Sequence, residues 1–243
     1  MRKFNFLNIS LILLFLQLSS PFVLYGADFA SKLNTIKKEI GRDNVKKAIN
    51  LLGEIEVINN DQQEKVDLLF GDIYLKINKP QKAIDFYEKV FITSNENVES
   101  LSELGLSEAK LSQGKLNEAI EHAEKSLSID SDKIKTKIIL AIAQTRNGDH
   151  NKALKSLEIL FDGNRNNSEV NLALASYYIN FGDRTAAIKI LDRFNKDNPD
   201  NIKILDELAN LHWANGNKKK ALEFKIKVYK YYEFNRNQRE LKK

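Results

Sequence analysis

The sequence predicts an all-α fold, a right-handed α-solenoid (a superhelix) of about six helix-turn-helix repeats. Three observations point there. Breakers are scarce, with 3 Pro and 10 Gly in 243 residues, where average usage is about 5% and about 7%. One triplet, a middling residue followed by Ala and then Ile or Leu, returns six times in register. Between the triplets, apolar residues recur three and four apart, which is the period of an amphipathic helix and not the alternation of a strand.

Composition narrows the function as well as the fold. The chain has no Cys, which removes disulfide scaffolds, thiolate zinc sites, iron–sulfur clusters, a Cys nucleophile and a lipidated N-terminal Cys. Lys and Arg number 38 against 33 Asp and Glu, but acids are interspersed with the cations almost everywhere. The longest cationic run, Lys218-Lys219-Lys220, is too short to track a nucleic acid. No nucleic-acid partner is expected.

Residues 1–26 read as an export signal. Arg2 and Lys3 precede an apolar run from Ile9 to Leu18, Pro21 breaks it, and Gly26-Ala27 supplies the small residues of a cleavage site. The competing reading is an uncleaved anchor spanning Phe4 to Tyr25. Asn5, Asn8, Ser10, Gln17, Ser19 and Ser20 weaken it, because a spanning helix needs about 20 predominantly apolar residues. In both readings the rest of the chain faces outward, in a periplasmic or other extracytoplasmic space. Membrane contact is confined to this segment, and only if it stays attached.

The repeats occupy residues 27–230. Their triplet alanines are Ala48, Ala83, Ala119, Ala153, Ala187 and Ala221, separated by 35, 36, 34, 34 and 34 residues. Five residues before the last four stand Gly114, Gly148, Gly182 and Gly216. Twelve residues before the last five stand small side chains: Gly71, Ser107, Ala141, Ala175 and Ala209. Each unit is expected to hold two helices. In the third, Leu101, Leu104, Leu106 and Leu111 mark a first helix that ends at Gly114. Leu116, Ala119, Ile120, Ala123, Leu127 and Ile129 mark a second. Gly114 suits a left-handed residue closing the first helix, and Asp149, Asp183 and Asn217 suit N-caps of the second. The Ala and its small partner let the two helices approach closely. Unit one, about Phe29–Ile58, lacks both the small residue and the Gly, as a terminal repeat does. Residues 231–243 form a polar C-terminal tail or capping extension. Tyr229, Tyr231, Tyr232 and Phe234 reach an end that no further unit covers, so the tail folds back over it or the end docks a partner or a second copy.

A period of 34 with this pattern resembles the tetratricopeptide repeat (TPR) family. The stretch Gln113–Asp130 is especially close to that family's second-helix consensus. Two features depart from it. The family's first-helix Trp is replaced by Asp67, Glu103, Lys137, Asn171 and Leu205, and the closing Pro survives only as Pro199. The resemblance implies that first helices line a concave, partner-binding face. Its floor would include Leu68, Leu75, Leu104, Leu111, Ile138, Ile142, Leu172, Ile179 and Trp213, edged by Lys65, Lys135, Glu169 and Lys203. Such a floor suits an amphipathic helix or an extended apolar segment of a protein or peptide partner. The same aliphatics also suit packing between units, the commoner fate of apolar residues at helical spacing. A clamp for a partner's C-terminal carboxylate is not expected, because the matching positions hold Leu68/Asp72, Leu104/Glu108 and Ile138/Ile142.

No catalytic set presents itself. His122, His150 and His212 fall in three different units, and Glu118 beside His122 leaves that pair short of the three or four ligands zinc needs. There is no G-x-S-x-G, H-E-x-x-H or phosphate-binding glycine cluster. No cofactor, metal or enzymatic activity is expected. Three function classes remain: an adaptor for an envelope, pilus or secretion assembly, a chaperone for exported apolar segments, and an accessory subunit of an enzyme on another chain.

Overall fold

The computed structural model describes residues 21–90 and 95–240, with side chains from 28 to 238 outside that gap. Residues 1–20, which hold most of the expected export segment, and residues 241–243 of the expected tail lie outside it.

The described residues form twelve α-helices and one 3-10 turn, with no strand among them. The first pair is α1 (Pro21–Gly41) and α2 (Val45–Gly53). The second is α3 (Asn60–Lys76) and α4 (Pro80–Tyr87), which closes on the 3-10 turn Glu88–Val90. The third is α5 (Glu96–Ser112) and α6 (Leu116–Ile129), and the fourth α7 (Ile134–Asn147) and α8 (His150–Gly163). The fifth is α9 (Ser168–Asn180) and α10 (Arg184–Asp197), the sixth α11 (Ile202–Ala214) and α12 (Lys218–Glu240). This is the all-α repeat that the six triplets predicted. Two compact units divide the chain, residues 1–109 and 110–243, with the boundary inside α5.

The six triplet alanines are all buried, none more than 2% exposed. Their small partners Gly71, Ser107, Ala141, Ala175 and Ala209 are buried too. Core layers form around them. In the first unit one layer joins Phe29, Leu33 and Ile36 of α1 to Leu52 of α2 and Leu69 and Ile73 of α3. A second gathers Leu68, Ala83, Tyr87, Val90, Val98 and Leu106. In the second unit, Ala153, Leu157, Val170 and Leu174 form one layer, and Ala187, Leu191, Ile204, Leu208 and Phe224 another.

Each turn between paired helices closes the same way, including the two where the sequence shows no Gly. The residue five before each alanine is left-handed: Asp43 (φ 64°), Asn78 (φ 56°), Gly114 (φ 75°), Gly148 (φ 96°), Gly182 (φ 80°) and Gly216 (φ 78°). The next N–H bonds back to the carbonyl five residues earlier, as in Asn44 to Glu39 (2.9 Å), Lys79 to Tyr74 (2.8 Å) and Asp183 to Tyr178 (2.9 Å). Asp and Asn visit this region more readily than other side chains, which is why the motif survives in units one and two. The first turn has extra support. Asn44 Nδ2 donates to Glu39 Oε2 at 2.7 Å, and Lys47 lies 3.4 Å from the same carboxylate.

Caps follow the expectation in part. Asp183 accepts from Ala186 N–H at 2.9 Å and Asn217 from Lys220 N–H at 3.3 Å. Asp149 caps nothing with its side chain; its carboxylate accepts from Asn147 Nδ2 at 3.2 Å instead. The first helices of four pairs start on asparagines, with Asn59, Asn95, Asn167 and Asn201 each accepting from an N–H of the following turn.

The last helix departs from one reading of the tail. Residues 231–240 continue α12 without a break, so this stretch does not fold back over the end of the repeat. At the other end, α1 is described from Pro21 onward. It runs through Gly26-Ala27, and among its described side chains Phe29, Leu33 and Ile36 are buried.

Candidate partner-binding surface

The first-helix residues assigned to a groove floor separate by burial. In the first unit, Leu68 and Leu104 are buried and Leu75 is half-buried. Leu68 belongs to the core layer around Tyr87 and Leu75 packs beside it. In the second unit, Leu111 is buried against Ala119 and Ala143. Ile138, 8% exposed, sits in the layer with Leu157, Val170 and Leu174. Ile142, Leu172 and Ile179 are half-buried. Trp213 is 64% exposed on the last first helix, α11. Of the groove candidates in the second unit, Ile142, Leu172, Ile179 and Trp213 therefore keep accessible surface. The edge residues Lys135, Glu169 and Lys203 are exposed, and Lys218 Nζ stands 5.8 Å from the Trp213 ring centre.

Polar residues at core positions are hidden in the sequence. Of the side chains that replace the family Trp, Asp67, Glu103, Asn171 and Leu205 are buried. Asn171 turns this to use: its Nδ2 donates to the carbonyls of Arg165 (2.9 Å) and Asn167 (2.8 Å) and pins the preceding loop. Tyr87 is fully buried, and its hydroxyl donates to Asp72 Oδ1 at 2.8 Å. Burial, then the Asp72 carboxylate, raises its pKa far above the ordinary tyrosine value, so it stays a neutral donor.

His212 is buried and stacked on Phe224, with ring centres 5.7 Å apart. Its Nε2 has no protein hydrogen-bond partner. Burial, and then the nearby Lys220 cation, lowers its pKa, so the ring is neutral at pH 7. Lys220 in turn pairs with Asp192 at 3.1 Å, which ties α12 to α10. None of these groups assembles into a catalytic set. Among the described residues no three His, Cys, Asp or Glu side chains converge to hold a metal ion. Likewise, no described helix is long and apolar enough to cross a membrane.

A tetratricopeptide repeat model matches residues 144–205, and a second one matches residues 68–91 and 104–133. No curated protein matches the chain. Among solved structures, TTC0263, a thermophilic TPR protein of Thermus thermophilus, is similar over 69% of this chain and 90% of its own, at 18% identity and a TM-score of 0.59. MamA covers 69% of this chain and 96% of its own at 22% identity, with a TM-score of 0.49. At 18% identity the likeness to TTC0263 concerns the fold, and it agrees with the helix pairing found here. The left-handed turns, the buried alanines and the matched segments converge, and the chain is a tetratricopeptide repeat protein, a helical scaffold for protein–protein interaction.

Proposed function

We propose that this scaffold works outside the bacterial inner membrane, where it holds an apolar segment of a protein partner during assembly of an envelope, pilus or secretion complex. It does no chemistry of its own. The observation that carries the reading is Trp213, exposed on α11, together with the half-buried first-helix residues Ile142, Leu172 and Ile179 and the exposed charges Lys135, Glu169 and Lys203. A large aromatic side chain left 64% exposed is the kind of anchor that dominates interface energetics. Support for the location is the signal-like pattern of residues 1–26.

Trp213 is the chain's only Trp, so its fluorescence reports directly on this surface. Cross-linked pull-down from the native envelope should capture a defined partner, and adding that partner should shift the emission to shorter wavelength. Trp213→Ala should lose capture and keep the wild-type melting temperature. Equal capture by wild type and variant retires the surface; recovery of the chain in the cytoplasmic fraction retires the location. Capture of many unrelated exported chains would replace the single-partner reading with a chaperone.

A further inference from the structure

Helix α12 carries more exposed large apolar side chains than any other described helix. Leu222 is 60% exposed, and Ile226, Tyr229, Tyr231, Tyr232 and Phe234 are exposed as well. One and two repeats earlier, the residues in register with Leu222 are Ile188 and Leu154, each half-buried against a core layer. The helix is also basic, with eight Lys and Arg against three Glu between 218 and 240. Its aromatic side chains point in all directions: at about 100° per residue, Tyr229 and Tyr231 lie on opposite sides. A helix that lies on a membrane needs a single apolar face, and this end has none.

The first unit offers the complement. Between residues 60 and 109, ten Asp and Glu, of which Asp67 and Glu103 are buried, stand against five Lys. The exposed large apolar residues of this unit, among those described, are Ile58 and Leu101, and they share one edge. Ile58 precedes the cap of α3, and Leu101 lies in the second turn of α5. Asn95 Nδ2 donates to Asp61 Oδ1 at 3.4 Å, while Val90 and Val98 share a core layer with Leu68. These contacts bring the starts of α3 and α5 and the end of α4 together. Asp61, which pairs with Lys65 at 2.6 Å, Glu88 and Glu96 are exposed on that edge. Helix dipoles explain acids in the first turns of α3 and α5. They do not explain Glu88 beyond the end of α4, or Ile58 and Leu101 at 48% and 38% exposure beside these carboxylates.

We propose that the chain self-associates head to tail, the basic aromatic end of α12 docking on the acidic Ile58–Leu101 edge of another copy. The two surfaces match in charge and in apolar content, whereas pairing two α12 ends with each other would set cation against cation. The contact joins different surfaces of the two copies, so it propagates into open chains instead of stopping at a dimer.

Sedimentation and light scattering of the purified full chain test this. At about 50 mM salt the mass should grow with concentration, and at about 500 mM the association should weaken by roughly tenfold or more as the charges are screened. Lys230→Glu with Arg236→Glu should abolish association. Glu88→Lys with Glu96→Lys should do the same, with circular dichroism and melting temperature of both variants near wild type. Mixing the two variants should restore it, because each then meets an opposite charge. A monomer at every concentration overturns the proposal, as does an oligomer indifferent to the Glu88/Glu96 reversal. Association that strengthens with salt would mean apolar pairing of two α12 helices instead. A wild type that stays monomeric but sediments with phosphatidylglycerol vesicles would make the helix a membrane contact.

Discussion

The ring of Tyr87 occupies a slot that exists only because Gly105 has no side chain. A Cβ at Gly105 would stand 2.3 Å from the Tyr87 Cζ, and one at Gly71, on the ring's other flank, 2.4 Å from Cε1. Two glycines on α3 and α5 thus hold one aromatic from α4, and the phenol tip reaches Asp72. Gly105→Ala is expected to destabilise by about 1–3 kcal/mol, since the ring is fully buried and cannot move aside freely. Urea denaturation with Tyr87→Leu added to Gly105→Ala checks the cause: if ring overlap is the mechanism, the double variant should lose less than the sum of the singles.

The helix-pair contact sets a second expectation. Ala187 is fully buried, so Ala187→Leu should cost about 1–3 kcal/mol through overpacking. Ile159→Ala serves as a control, because Ile159 is largely exposed and its truncation should stay within about 0.5 kcal/mol. A neutral Ala187→Leu would mean that the helices of the pair have room to spare.

The turn residues separate backbone cost from steric cost. Nothing lies within 4 Å of a Cβ built on Gly182, whose φ is +80°. Gly182→Ala should therefore lose about 1–2 kcal/mol, and all of it conformational. Asn78→Gly, at φ 56°, should be close to neutral in thermal melts. A larger loss there would show that the Asn side chain does more than tolerate the turn.

Ile138 distinguishes packing from binding at a single position. It is buried among Leu157, Val170 and Leu174, so Ile138→Glu should lower stability by more than about 3 kcal/mol, as an unpaired buried charge does. Melting near the wild-type temperature would restore Ile138 to the binding surface.

His212 makes stability depend on pH. Its folded pKa lies below the unfolded value, lowered first by burial and then by Lys220, with Asp192 opposing. The unfolded chain therefore binds more protons in this window, and stability falls as pH drops below the unfolded value of about 6.5 toward the folded one. It is fully present above that window. His212→Gln should flatten this part of the stability–pH curve; an unchanged slope would place the pH dependence elsewhere.

Much of this architecture is legible in the sequence, and the reason is local. Helix period, triplet spacing and four glycines at a fixed offset are short-range signals, and they set twelve helices and their pairing. Asp43 and Asn78 show the limit of such signals: they take the place of glycine at positive φ, but neither stands out in a sequence where Asp and Asn are common. The starting asparagines of four first helices escape notice for the same reason.

What the sequence determined by itself is the repeat: Ala119 and Ala187 had to be buried, because an Ala that returns once in every repeat, on the apolar face of its helix, is useful only where two helices approach closely. It could not decide which of the groove candidates face solvent. Leu68, Leu104, Leu111 and Ile138 carry the same apolar periodicity as Leu172 and Ile179, yet the first four are buried and the others half-open. Periodicity records which face of a helix is apolar. How much of that face a neighbouring helix covers depends on the packing of several elements, and only the tertiary structure sets it. The same holds for α12: its aromatics are visible as residues, but their exposure follows from the absence, among the described residues, of any helix to cover them.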